Sequence, residues 1–380
     1  LSVPILIEER KIGSVENISI ICLQISKQEW NSRETSWDFQ QNELIRMRGQ
    51  DFEESVELYQ AFWQKKFFQL HKNEEELNRQ FIEIYGLQDE LTPDVPLEDI
   101  TLLKEESNIK NGQLVFDMQE IIAQFISYSV GCMFGRYSLD KQGLILANQA
   151  EGLEEFLQKI ALNEAQLSFT PDDDNIIPIL NDEWFEDDIA GRFKAFLKAS
   201  FGERDFHKNL RFIEDHLGKD IRKYFTKDFY ADHVKRYKKR PIYWAFSSSK
   251  GSFTVLIYMH RYNPDTLGKI LNDYLVEYRE KLGIHTENLE NSVVTGSPIE
   301  QTKAQKEIDK IKLVLIELQE YERDILYPLV QQRIKIDLDE GVLVNYNKFG
   351  KAIKEISGLN DKATKKKVIE FDWINSSLIQ

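Results

Sequence analysis

Two runs of aromatic and β-branched residues, Pro241-Ile242-Tyr243-Trp244-Ala245-Phe246 and Phe253-Thr254-Val255-Leu256-Ile257-Tyr258, flank the polar stretch Ser247-Ser248-Ser249-Lys250-Gly251-Ser252. That pattern predicts a β-hairpin. It constrains the fold because most of the remaining apolar residues recur three and four apart, which is helical spacing. Leu58, Phe62, Phe67, Leu70, Leu77, Phe81 and Tyr85 follow this spacing within a helical section from Val15 to about Leu87. Pro93 and Pro96 end the section, and residues 97–116 read as a connection into an apolar helix from Met118 to Met133.

Further amphipathic helices are expected over Glu151 to Asn163, Asp188 to Phe201 and Phe206 to Tyr224. The Pro-, Asp- and Asn-rich stretch from Thr170 to Asp182 reads as a solvent-facing loop. After the hairpin, Asn263-Pro264-Asp265 reads as the cap of a long helix carrying Leu267, Ile270, Leu271, Tyr274, Leu275, Tyr278 and Leu282 on one face. Thr295-Gly296-Ser297-Pro298 then breaks the chain before a second helix with Ile308, Ile311, Leu315, Leu318 and Ile325. The two predict an antiparallel helical hairpin. The expected fold class is mainly α with a smaller α+β part. Its sections are a helical spacer (1–115), a mixed α+β region with the β-hairpin (116–262), the long helical hairpin (263–335) and a C-terminal cap or tail (336–380). At 380 residues the chain is long enough for several such units in series.

Several function classes lose support at this level. Apolar runs such as Val255 to Tyr258 or Leu313 to Ile316 are far too short to cross a bilayer, so no membrane role is expected. Cys22 and Cys132 fall in apolar helical segments and give neither a disulfide framework nor a zinc site, which fits a reducing cytoplasm. No phosphate loop, Gly-x-Gly-x-x-Gly turn or nucleophile elbow is present. The six histidines show no ligand spacing, so no metal is expected, and His233 and His260 read as structural. The nearest string to the Asn-Pro-Pro-aromatic turn of an amino methyltransferase is Asn263-Pro264-Asp265-Thr266, which lacks the second proline and the aromatic ring. The start Leu1-Ser2-Val3-Pro4 has no initiator Met and no leader pattern, so a piece of a longer chain is expected.

A formal net charge of -15 argues against a uniformly basic nucleic-acid binder, but the charge is unevenly spread. Acids crowd the N-terminal third, whereas Lys219, Arg222, Lys223, Lys227, Lys235, Arg236, Lys238, Lys239, Arg240 and Lys250 dominate between residues 204 and 251. The candidate DNA-binding residues are Lys235, Arg236, Lys238, Lys239 and Arg240 just before the hairpin, with Ser247, Ser248, Ser249 and Lys250 at its tip. Ammonium groups there would meet phosphates, and the guanidinium groups of Arg236 and Arg240 could donate two parallel bonds to guanine. The bland alternative is a solvated charged face. Interleaved aromatics, Phe225, Phe229, Tyr230, Tyr237, Tyr243, Trp244 and Phe246, would suit stacking on exposed bases. Core packing explains alternating strand aromatics such as Trp244 and Phe246 more simply.

Several longer blocks carry a family resemblance: Ser32-Arg33-Glu34-Thr35-Ser36-Trp37-Asp38-Phe39, Leu77 to Leu91, Ser129-Val130-Gly131-Cys132-Met133-Phe134-Gly135-Arg136-Tyr137, Asp188 to Lys194, Lys239 to Ser248 and Tyr258-Met259-His260-Arg261-Tyr262. Together they resemble the region downstream of the catalytic domain in PglX-like BREX adenine-specific DNA methyltransferases, relatives of restriction-modification enzymes. The resemblance implies phage defence and methyl transfer from S-adenosylmethionine to adenine in DNA. It also implies a catalytic domain upstream of Leu1, with this chain as the target-recognition portion. No catalytic or cofactor residue carries over, so no cofactor is expected in this chain and activity of the chain alone is in doubt. The implied partners are double-stranded DNA, the upstream methyltransferase domain and other defence-system subunits. A protein-interaction scaffold docking such subunits is the competing reading. A restriction specificity subunit would need an internal repeat, and none is visible.

Overall fold

The structure is a computed structural model that describes residue 6 and residues 8–369. The start Leu1 to Pro4 and the end of the expected C-terminal tail lie outside the described residues. The chain divides into two compact units, each built from two separate stretches. The first comprises residues up to Tyr128 together with Ser200–Leu217, and the second comprises Ser129–Ala199 and the residues from Gly218 onward.

In the first unit, α1 (Glu9–Asn31), the short α2 (Glu43–Arg46) and α3 (Phe52–Tyr85) precede a two-stranded antiparallel sheet of β1 (Ser107–Lys110) and β2 (Gln113–Phe116). The helix α4 (Met118–Met133) follows directly. α3 begins where Asp51 accepts a hydrogen bond from the Glu54 N–H, and it ends at Gly86 in the left-handed conformation. Its buried stripe is Phe52, Val56, Tyr59, Trp63, Phe67 and Leu70. Leu58, Phe81 and Tyr85 are exposed instead, so the expected apolar series selected the wrong face in part. The β1–β2 hairpin replaces what reads as a connection; Asn111 and Gly112, both at positive φ, make its tight turn. The late stretch supplies the helix Phe206–Leu217, α7 in chain order, and the Asn209 side chain accepts a hydrogen bond from the Phe52 N–H at 3.0 Å.

The second unit is built around a three-stranded antiparallel sheet in the order β3-β5-β4, formed by β3 (Ile177–Pro178), β4 (Tyr243–Ser247) and β5 (Thr254–Tyr258). β4 and β5 are the expected hairpin, paired from Tyr243 opposite Tyr258 to Ser247 opposite Thr254. The same unit holds α5 (Leu153–Ile160), α8 (Ile221–Tyr224), α9 (Tyr230–Arg236) and, up to Ala199, α6 (Ile189–Phe201). The stretch Thr170 to Asp182 is not solvent-facing: Ile176, Ile177, Ile179 and Leu180 are buried, and Ile177 with Pro178 forms β3. Its polar residues act inward, as Asn175 exchanges hydrogen bonds with the Tyr258 backbone and Asp172 accepts one from the Ile176 N–H.

The long helical hairpin is present. α10 (Thr266–Lys269) continues through a widened π-helical segment, Ile270–Val276, into α11 (Glu277–Thr295), which packs against α12 (Pro298–Tyr321). The side chain of Asp265 does not cap this helix; Asn263 instead folds back to accept from the Asp265 N–H. A second π-helical segment, Glu322–Leu326, leads to α13 (Tyr327–Gln332). The described end of the chain holds α14 (Gly341–Asn347) and α15 (Lys362–Ile369). This end is no frayed tail up to Leu359, because Val344, Tyr346, Phe349, Ala352, Ile353 and Leu359 are all buried. Residues 352–354 lie along the open edge of β4, with Ile353 bridged to Phe246 and backbone bonds from Ser247 to Ala352 and from Lys354 to Ala245. An exposed sheet edge is thereby covered. The architecture is thus mainly α with two small antiparallel sheets.

Candidate nucleic-acid interface

The hairpin tip is held by hydrogen bonds that follow from its small polar sequence. Ser248 O accepts from the Gly251 N–H at 2.9 Å while Gly251 takes φ +75°, which glycine adopts without strain. Ser248 Oγ accepts from the Phe253 N–H at 3.1 Å, and the Ser247 and Thr254 hydroxyls meet at 2.9 Å. Beneath the tip, Glu317 of α12 accepts from the Lys250 N–H at 2.6 Å and from Ser252 Oγ at 2.5 Å. Burial alone would raise its carboxyl, but these bonds and one from Ser248 hold it below the usual carboxylate range. Glu317 is therefore an anion spent on fixing the turn.

The tip forms one side of an open groove of about 830 Å³. Lys227, Lys250, Lys351, Lys354, Lys362 and Lys365 line it, against one acid, Glu355. Thr226, Ser247, Ser248, Ser249 and Thr254 also line it. Burial and the neighbouring Lys227 lower the Lys354 ammonium below its ordinary pKa. Lys365 is lowered as well, mainly by burial, with Glu355 opposing the effect and Lys351 adding to it. Crowded ammonium groups of this kind favour a multivalent anion.

The other expected cations fall elsewhere. Lys235 and Arg236 end α9, and Lys238 and Lys239 follow in the left-handed conformation at φ +49° and +62°. None of Lys235, Arg236, Lys238, Lys239 or Arg240 lines the groove. Positive charge at a helix C-terminus complements the unsatisfied carbonyls, which gives this run a structural reason of its own. Lys239 runs toward Gly358: its Nζ lies 3.4 Å from where a Cβ at that glycine would stand. Two further basic residues are neutralised internally, Lys219 by Asp228 at 2.7 Å and Arg222 by Asp188 at 2.5 Å.

Six of the seven interleaved aromatics are not available for stacking on bases, while Tyr237 is half-buried beside His233. Phe225, Phe229, Tyr230, Tyr243, Trp244 and Phe246 are all buried, with Trp244 packed edge-on against Tyr346 and Phe349. His233 is structural: its Nε2 accepts from the N–H groups of Ile242 and Tyr243 at 3.2 and 3.1 Å, and burial, with Arg236 and Arg136 nearby, keeps it neutral. Sequence reasoning missed Lys351 and Lys354, and it left Lys362 and Lys365 in a C-terminal cap or tail with no binding role. The one available signal was the basic run from Lys362 to Lys367.

Among the described residues no group of three or more His, Cys, Asp or Glu is placed to hold a metal ion, and no helix is long and apolar enough to cross a membrane. Both described sheets are wholly antiparallel. They therefore do not form the crevice at the carboxyl ends of parallel strands in which open α/β sheets hold a nucleoside cofactor.

No protein-family model matches the chain. The chain is 36% identical over 371 residues to the adenine-specific methyltransferase BrxX of Escherichia coli O9:H4 (strain HS), a match covering 93% of this chain and 30% of that protein. It is 37% identical over 343 residues to the adenine-specific methyltransferase PglX of Lacticaseibacillus casei (strain Zhang), covering 85% of this chain and 26% of that protein. The chain thus spans less than a third of the length of these curated relatives. Across nearly its whole length, this chain is homologous to a section of the adenine-specific methyltransferases BrxX and PglX.

Proposed function

We propose that this chain is the DNA target-recognition portion of an adenine-specific DNA methyltransferase of a BREX-type phage-defence system, working in the cytoplasm. The observation that carries the reading is a serine-rich hairpin tip, fixed from below by Glu317, presented beside a cluster of lysines in a homologue of adenine-specific methyltransferases. Methyl transfer from S-adenosylmethionine belongs to a catalytic domain on other sequence. The residues here bind and orient the duplex. Residues 1–115 serve as the spacer toward that domain, 116–262 as the recognition region, 263–335 as the helical strut and 336–380 as the cap.

The test is fluorescence anisotropy of a labelled duplex titrated with the 380-residue chain at low salt. Measurable binding is expected, weakened about tenfold by combining Ser247→Ala, Ser249→Ala and Lys250→Ala, a loss of roughly 1.4 kcal/mol. Absence of binding to any duplex, together with capture of other defence-system subunits in a pull-down, would replace this reading with the scaffold one.

A further inference from the structure

Four of the six groove lysines, Lys351, Lys354, Lys362 and Lys365, come from the last stretch of described chain. That stretch is positioned from three sides. Its backbone follows the edge of β4, the Tyr321 hydroxyl donates to Ala352 O at 2.7 Å, and the Tyr346 hydroxyl donates to Lys354 O at 2.7 Å. Among the described residues, no carboxylate forms an ion pair with Lys227, Lys250, Lys351, Lys354 or Lys362. These cations contrast with Lys219 and Arg222, which the fold has paired.

The lining also indicates which part of a nucleic acid would enter. Ammonium groups and hydroxyls bind phosphate oxygens as point charges and single donors, whereas reading a guanine edge calls for a guanidinium fork, and no arginine lines the groove. No aromatic ring lines it either, so it offers no platform for unstacked bases. Nor does it offer the apolar slot in which a free nucleotide would bury its base.

Building on the DNA-binding reading above, we propose that this groove is a clamp for the phosphodiester backbone of duplex DNA. The segment from Gly350 to Lys365 forms one wall and the hairpin tip the other, with the paired bases facing away. The clamp supplies sequence-independent affinity and register. Choice of sequence is left to residues outside the groove.

Two variants of the full chain separate the possibilities: a groove variant with Lys227→Gln, Lys351→Gln and Lys362→Gln, all exposed side chains, and a helix-end variant with Lys235→Gln, Lys238→Gln and Lys239→Gln. Circular dichroism and thermal melting establish that each is folded. The groove variant is expected to bind any duplex at least about tenfold more weakly at low salt, with the slope of log affinity against log salt shallower by about 0.9 for each phosphate contact removed. The helix-end variant is expected to change both by less. If the groove variant binds as the parent does while the helix-end variant fails, the clamp is wrong and the DNA-binding reading survives. If the parent binds no duplex, that reading falls first. Tighter binding of single strands than of duplex, or of tripolyphosphate than of either, would also overturn the clamp.

Discussion

Glu317 accepts a hydrogen bond from the Lys250 N–H at 2.6 Å, so a carboxylate on the long helix α12 fixes the turn that carries one of the groove lysines. Replacing it separates positioning from contact. Glu317→Ala leaves the Lys250 N–H and the Ser252 hydroxyl without their acceptor, which costs about 1–3 kcal/mol of stability. Duplex affinity is expected to fall about tenfold even though the substitution removes a negative charge, with the salt slope unchanged because no phosphate contact is lost. Glu317→Gln, which keeps one acceptor oxygen, should recover part of the affinity. Tighter binding by the alanine variant would show that the charge, and not the turn, matters.

Glu106 gives a pH signature to the first unit. Burial pushes its carboxyl up to about 7; Arg33 opposes this in part, while Glu29 and Glu105 add to it. A carboxyl raised in the folded state contributes stability that is complete below its unfolded pKa of 4.5 and is lost as pH climbs through about 7. Glu106→Gln removes the charging cost, and Arg33 keeps Glu29 and Glu105 as partners. The variant should melt close to the parent at about pH 5 and be more stable at about pH 8, by at most roughly 3 kcal/mol. A variant less stable than the parent at the higher pH would show that the Arg33–Glu106 ion pair outweighs burial.

Gly131 sits where α4 passes Tyr137. A Cβ at this position would lie 2.5 Å from Tyr137 Cδ2, a ring already held by its neighbours. Gly131→Ala, ordinarily favourable in a helix, should therefore destabilise the protein by about 1–3 kcal/mol, read as a lower denaturation midpoint. An unchanged or higher midpoint would mean that the ring moves freely.

The Tyr274 hydroxyl faces two carboxylates, Asp187 at 2.8 Å and Asp174 at 3.0 Å. Burial raises the Asp187 carboxyl, while its bond from Tyr274 works against that shift. Tyr274→Phe should cost about 1–3 kcal/mol near neutral pH. The loss should shrink toward about pH 4, where a protonated carboxyl can donate in the tyrosine's place. Equal losses at both pH values would point to packing alone.

The parts of the fold legible from sequence are those specified locally. All seven apolar positions chosen between Leu267 and Leu282 are buried, because one strong stripe leaves a helix a single way to face its core. Trp244 and Phe246 are likewise buried, as strand aromatics between other apolar residues should be. α3 was harder, since a helix of 34 residues with apolar side chains on more than one face lets periodicity select Leu58 or Val56 equally well. The Asn111-Gly112 turn was a usable hairpin signal that the polar flanks of β1 obscured. The groove is the least legible feature. Lys227, Lys250 and Lys351 are brought together by residues 352–354 lying along β4, a long-range choice that no window of sequence contains.

The return of Ser200–Leu217 to the first unit bears on how this protein is made and dissected. A ribosome that has released the chain only as far as Tyr128 has emitted neither the Asn209 acceptor for the Phe52 N–H nor the Phe201 and Phe212 rings that pack on Phe52. The N-terminal unit can close only after the whole of the intervening 129–199 stretch and residues 200–217 have emerged, so its folding is delayed rather than strictly sequential. Proteolysis or truncation at a single point between residues 129 and 199 severs one body from its own last helix, and a stable piece should be recovered only from boundaries that keep residues 200–217 attached.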